Sequence, residues 1–101
     1  MVLEITDVKQ IPQDKKVLID FHATWCGPCK RIAPAFIELA NKYPNIVFLK
    51  VDVDEAEKIA ESFSVTSLPT FLFLNNGNEY KQVIGADINE LVSTIENFMK
   101  I

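Results

Sequence analysis

Apolar residues fall into two kinds of pattern along the chain, and the switches between them predict the order of elements. "VLIDF" (17–21) is a short, nearly continuous apolar run, the pattern of a strand covered on both faces. "NIVFLKVDV" (45–53) reads the same way and fades to alternation at its end. Between them Ile32, Phe36, Leu39, Ala40 and Tyr43 recur three or four residues apart, which places them on one face of a helix. Pro34 lies inside that helix, where it removes a backbone donor and predicts a kink, and Pro44 marks its end. Strand, helix and strand form a βαβ unit, so the two strands are expected to be parallel, with a right-handed crossover.

The second half reads differently. Asp54 and Glu57 resemble a capping box ahead of Ile59, Ala60 and Phe63, predicting a helix over about 55–63. "PTFLFL" (69–74) and "EYKQVI" (79–84) are strand-like and flank "NNGN". Asn76-Gly77 suits a tight hairpin in which both central residues take positive φ, so this pair is expected to be antiparallel. Asp87 and Glu90 repeat the capping pattern before an apolar stripe of Ile88, Leu91, Val92, Ile95, Phe98 and Met99, a closing helix. Near the start, "LEI" reads as an edge strand, and the short segment up to Val17, which carries Pro12, is not expected to hold a full helix. The fold class is therefore α/β: a central mixed β-sheet, made of a parallel βαβ half plus an antiparallel β-hairpin, flanked by helices on both faces. A length of 101 residues suits a single domain over 1–101.

Composition narrows the function classes. With 49% hydrophobic and 24% charged residues the chain is expected to fold. A net charge of -4 with scattered lysines is not the footprint of a nucleic-acid binder. No apolar run approaches the ~18 residues of a membrane span, and "MVLEITDVKQIP" has neither the basic start nor the apolar stretch of a secretory signal. No glycine-rich phosphate loop is present, so no bound cofactor is expected. These features read as a cytoplasmic protein without nucleic-acid or membrane partners.

The chemistry is concentrated in "ATWCGPCK" (23–30), which holds both cysteines. Zinc would need further ligands, and the chain offers only His22 and carboxylates. A purely structural disulfide closing so short a loop would stabilise by only roughly 2 kcal/mol. A redox pair fits better. The motif follows a strand and opens a helix, where unpaired backbone N–H groups and the dipole favour a Cys26 thiolate and lower its pKa. Cys29, one turn on, is positioned to attack a mixed disulfide formed by Cys26. Gly27 permits close approach of another backbone, and Pro28 stiffens the first turn without needing an N–H. Asp20 interrupts an apolar strand; if buried without a partner, its pKa is raised into the range of a proton acceptor at neutral pH. A solvated strand-end carboxylate is the plainer alternative.

"WCGPCK" resembles the active-site signature of the thioredoxin family. The likeness runs from "VLIDFHATWCGPCK" through "FLKVDVDE" and "SLPTFLF" to "NNG" and "VIGA", and is greatest to the eukaryotic cytosolic type. It implies a thioredoxin fold and a protein-disulfide reductase, with Asp20 taking the proton of Cys29. It also implies a lysine, Lys50, near that carboxylate, and a cis-proline, Pro69, facing the cysteines beside a Leu68 backbone free to pair with substrate. Trp25, Gly27, Pro28, Leu68, Pro69, Ile84, Gly85 and Ala86 match the patch that grips partners. For Ile84 core packing explains the residue equally well, and for Lys50 a solvated strand end remains open. The implied partners are an NADPH-dependent thioredoxin reductase and disulfide-containing proteins such as peroxiredoxins, with the chain itself a monomer. His22 departs from the family pattern. On a strand it shares a face with Asp20, about 6.6 Å along, and is expected either to be an idle edge residue or to tune the Cys26 thiolate. Two rival readings are an oxidase or isomerase of the same fold, and a redox-independent binding module using the apolar patch.

Overall fold

A computed structural model describes Met1–Ile101. Strand β1 (Val2–Glu4) is followed by a single 3-10 turn (Val8–Gln10), then β2 (Lys16–His22), α1 (Gly27–Lys42), β3 (Val47–Asp52), α2 (Glu57–Ser62), β4 (Thr70–Asn75), β5 (Asn78–Ile84) and α3 (Ile88–Phe98). The five strands form one sheet in the order β1-β3-β2-β4-β5. β1 and β2 flank β3 in parallel, while β4 runs antiparallel to both β2 and β5. The expected mixed sheet is therefore present, with the βαβ unit and the hairpin meeting where β2 pairs with β4.

The period-two alternation of the strands sorts the core into two halves. Leu18, Phe48, Phe71, Phe73 and Val83 point to one face, where they pack with Ile32 and Phe36 of α1 and with Leu91, Ile95 and Phe98 of α3. Val17, Ile19, Phe21, Leu49, Leu72 and Leu74 point to the other, against Ile59 and Ala60 of α2 and against Ile5 and Ile11 from the N-terminal segment. Phe36 is a keystone of the first half: its ring lies 5.2 Å from that of Phe48 and 5.7 Å from that of Phe71. Because Asp20 and His22 share their strand parity with Leu18, they face α1.

Local chemistry accounts for most boundaries. The Asp87 side chain accepts from the Glu90 N–H at 3.1 Å and starts α3. Asn76 and Gly77 take φ of 51° and 83°, the hairpin geometry read from their identities. The 3-10 turn is held by a reciprocal cap between Asp7 and Gln10. Pro34 remains inside α1, where its missing amide hydrogen leaves the Lys30 carbonyl without its usual intrahelical donor.

One expected element is corrected. The helix expected over 55–63 begins at Glu57, with Ala56 at its N-cap and no side-chain cap, so Asp54 and Glu57 form no capping box. The turn ahead of it belongs to Asp52 instead, whose backbone carbonyl accepts from the N–H groups of Glu55 and Ala56 and whose carboxylate accepts from the N–H of Asp54. The Asp54 side chain is drawn elsewhere.

Truncating the aromatic keystone tests this core. Phe36→Ala is expected to lower unfolding free energy by about 3–5 kcal/mol, read as a shift of the urea midpoint at unchanged slope.

Candidate active site

The parallel strands β2 and β3 end together, with His22 opposite Asp52, and β4 enters the sheet from that same end because it runs the other way. Three loops therefore converge: 23–26 into α1, 53–56 after β3, and the segment before Thr70. This is the position outside the carboxyl ends of strands where α/β folds place their chemistry.

Cys26 is the N-cap of α1 and Pro28 stands in its first turn. Cys26 and Cys29 are joined as a disulfide with Cα atoms 5.3 Å apart, and the Cys29 backbone N–H donates to the Cys26 sulfur at 3.2 Å. A helix start leaves its first N–H groups without partners; here one is aimed at sulfur, and in the dithiol form such a donor favours a Cys26 thiolate.

The two cysteines are buried, at 5% and 4% exposure, but they line different cavities. Cys26 lines an apolar groove of about 420 Å³ with Trp25, Gly27, Pro28 and Leu68. Val53, Val65 and Thr66 complete the same groove, and the pattern of the sequence did not single them out. Val53 directly follows a parallel strand of the βαβ unit, a signal that could have found it; Val65 and Thr66 are brought in only when β4 docks. Trp25 is exposed, and its indole N–H donates to the Asp54 carboxylate at 2.8 Å. That bond is where the side chain expected to cap α2 has gone, and it orients the indole at the groove's rim. A Cβ on Gly27 would meet nothing within 4 Å, so this glycine keeps the rim low rather than serving internal packing.

Cys29 lines a second, more polar cavity of about 160 Å³ with Asp20, His22 and Lys50. Asp20 is 5% exposed and its Oδ1 has no protein hydrogen-bond partner. Burial pushes its pKa up from 3.8 to about 7, partly opposed by the positive charge of Lys50. Lys50 stands beside Asp20 in the β2–β3 register, yet its ammonium pairs at 3.6 Å with Glu4 on β1. The lysine near the carboxylate is present, but its ion pair is made with the neighbouring strand.

The remaining expected patch residues divide. The Leu68–Pro69 bond is cis. Ile84 is 61% exposed, which rules out core packing as its explanation, and it stands next to Thr70 across the β4–β5 ladder. Gly85, at φ 100°, donates its N–H to the Pro69 carbonyl at 2.8 Å, tying the end of β5 to the proline loop. Ala86 lies elsewhere: it packs against the α1–α3 half of the core and lines a hollow with Arg31, Ile32 and Ala35, so it is not brought to the groove. His22 lines the cavity of Cys29 and not the groove of Cys26.

Comparison with known proteins agrees with this geometry. The family model described as Thioredoxin matches residues 5–97. A Thioredoxin H-type from Oryza sativa subsp. indica is 54% identical over 81 residues, covering 80% of this chain and 66% of that protein. Thioredoxin H1 of Arabidopsis thaliana is 51% identical over 79 residues, 78% of this chain and 69% of that protein. Among solved structures, a poplar thioredoxin h superposes with a TM-score of 0.91 at 38% identity, over 99% of this chain and 97% of its own. Plasmodium falciparum thioredoxin does so at 0.90 and 40% identity, over 95% of this chain and 98% of its own.

The Asp20 carboxyl gives a testable pH dependence. Between 3.8 and about 7 the folded protein holds a proton that the unfolded chain has released, so stability falls as pH rises through that window. At 1.36 kcal/mol per pH unit, the full effect is on the order of 4 kcal/mol. Asp20→Asn is expected to be more stable than the parent by a few kcal/mol at about pH 8, with the difference fading toward about pH 4, in urea unfolding at each pH. Lys50→Met, which removes the opposing charge, is expected to move the Asp20 titration higher still.

Proposed function

This chain belongs to the thioredoxin family, and from that membership we propose that it is a protein-disulfide reductase working through Cys26 and Cys29. The observation that carries the reading is the pair at the start of α1, with a backbone N–H on the outer sulfur and a buried carboxylate beside the inner cysteine. In the reduced protein the Cys26 thiolate attacks one sulfur of a substrate disulfide, and the other substrate sulfur leaves as a thiolate. Cys26 is then held in a mixed disulfide. Asp20, whose pKa is about 7, takes the thiol proton of Cys29. The Cys29 sulfur attacks Cys26, the second substrate sulfur leaves, and the protein is left with Cys26 joined to Cys29.

The substrate lies in the apolar groove, an extended segment against Trp25, Gly27, Pro28 and Leu68, with Pro69, Ile84 and Gly85 continuing the surface by way of the Gly85–Pro69 bond. Proteins carrying accessible disulfides, peroxiredoxins among them, are the substrate class. NADPH-dependent thioredoxin reductase returns the electrons, so the domain itself needs no bound cofactor. Such a cycle belongs in a reducing compartment, and the cytoplasm is the assignment that suits it. Gly27-Pro28 between the cysteines favours a reductase over an oxidase or isomerase. A redox-independent binding module is not favoured, because it has no use for a carboxylate buried behind the second cysteine.

Cys29→Ser is expected to accumulate a covalent Cys26–substrate disulfide, seen as a mass increase that dithiothreitol reverses, and to reduce insulin disulfides negligibly with NADPH and thioredoxin reductase. Cys26→Ser is expected to form no adduct. A Cys26→Ser, Cys29→Ser double variant that still held its partners would return the binding-module reading.

A further inference from the structure

Two buried side-chain atoms of this protein have no protein hydrogen-bond partner: Asp20 Oδ1 and His22 Nε2. They belong to residues of the same strand parity, about 6.6 Å apart along β2, and both residues line the cavity that Cys29 also lines. An unpaired polar atom inside a protein is costly, so two of them beside one polar cavity mark a place built for a third party. The cavity's 160 Å³ exceeds the ~10–15 Å³ a water needs; one water with two hydrogen bonds of about 2.8 Å at a near-tetrahedral angle bridges about 4.5 Å, and a pair of waters reaches further. At its rim stand Thr24 and Lys30, both exposed.

We propose that His22 is a positioning residue of the resolving step, receiving through cavity water the proton that Asp20 takes from Cys29 and passing it to solvent. The inference rests on the reading of Cys26 and Cys29 as an exchanging pair. The S–H bond of Cys29 breaks as its proton goes to the Asp20 carboxylate. The freed sulfur forms its bond to Cys26, the bond from Cys26 to substrate breaks, and the electron pair leaves on the substrate sulfur. Asp20 then gives the proton through water to His22 Nε2. The imidazolium releases its Nδ1 proton to solvent from a ring that is only partly buried, so one proton has reached bulk water and His22 is neutral with its proton on Nε2; exchange with solvent water returns that proton to Nδ1 before the next cycle.

No other charged group around the cavity can do this. Lys50 faces Asp20 from β3 but is paired with Glu4, and Lys30 reaches the cavity from α1; both are ammonium groups with no lone pair to offer. Asp52 lies opposite His22 in the β2–β3 register but does not line the cavity, and its Oδ1 accepts from the Asp54 N–H. Imidazole is the side chain that changes charge near neutrality.

The test follows the reduced protein reacting with 5,5′-dithiobis(2-nitrobenzoate). The first thionitrobenzoate release reports attack by Cys26, and the second reports resolution by Cys29. His22→Ala and His22→Gln are compared with the parent. Both variants are expected to slow the second release roughly tenfold, below the ~10²–10⁴ associated with a general base itself. At fixed pH, added imidazole is expected to restore that rate in a concentration-dependent way. Gln keeps a hydrogen bond to the cavity but cannot relay a proton, so recovery by Gln alone would mean a structural role and overturn the proposal. A second release as fast as the parent's in both variants, or a slow one indifferent to imidazole, would overturn it too. If the parent itself gave no second release, the failure would lie with the exchange reading and not with His22.

Discussion

The placement of one sulfur at the first turn of one helix governs the rest of this molecule. A helix start exposes N–H groups that nothing inside the helix can satisfy, and α1 directs one of them, from Cys29, onto the sulfur of Cys26. The same turn fixes the second cysteine on the inner side, against the sheet. Everything else at the site is arranged around that split. Apolar side chains line the groove of the outer cysteine, and polar, titratable ones line the cavity of the inner cysteine.

That separation has a chemical logic. Capture of a substrate disulfide needs a flat, mostly apolar surface and a nucleophile already ionised. Release needs a proton to be taken from the second thiol at the right moment, which is the work of a group poised near neutral pH. The sheet supplies the second environment cheaply: strand alternation buries Asp20 behind α1, and burial alone lifts its pKa to about 7 against the opposing field of Lys50. A loss of stability as pH rises from 3.8 toward about 7 is the physical consequence of keeping that carboxylate where it is.

The loops outside the motif are tied to it by single bonds. Asp54 fixes the indole of Trp25, and Gly85 ties the end of β5 to Pro69. Each joins a segment distant in sequence to the rim of the groove. The shape of the binding surface therefore depends on the sheet being assembled, and not on the motif alone.

Much of this was legible in the residues. Apolar runs and helical stripes gave the order and type of the main elements, Asn76-Gly77 gave the hairpin, and the position of the cysteines after an apolar run placed them at a helix start. Asp20 stood out because a carboxylate inside "VLIDF" must be either at an edge or buried. These signals are local: a strand's two faces and a helix's first turn are decided within a few residues. What the sequence left open lies between elements. Asp54 reads as a helix cap until Trp25 competes for its carboxylate. Resemblance puts Lys50 near Asp20, but only β1 decides that its ion pair is with Glu4; resemblance puts Ala86 in the partner patch, but only the tertiary structure packs it against the α1–α3 core; and His22 stood between an idle edge residue and a tuner of Cys26 until the fold set it in the cavity that Cys29 lines. Such choices depend on sheet order and register, which bring residues from far along the chain within a few ångströms, and no local pattern carries that information.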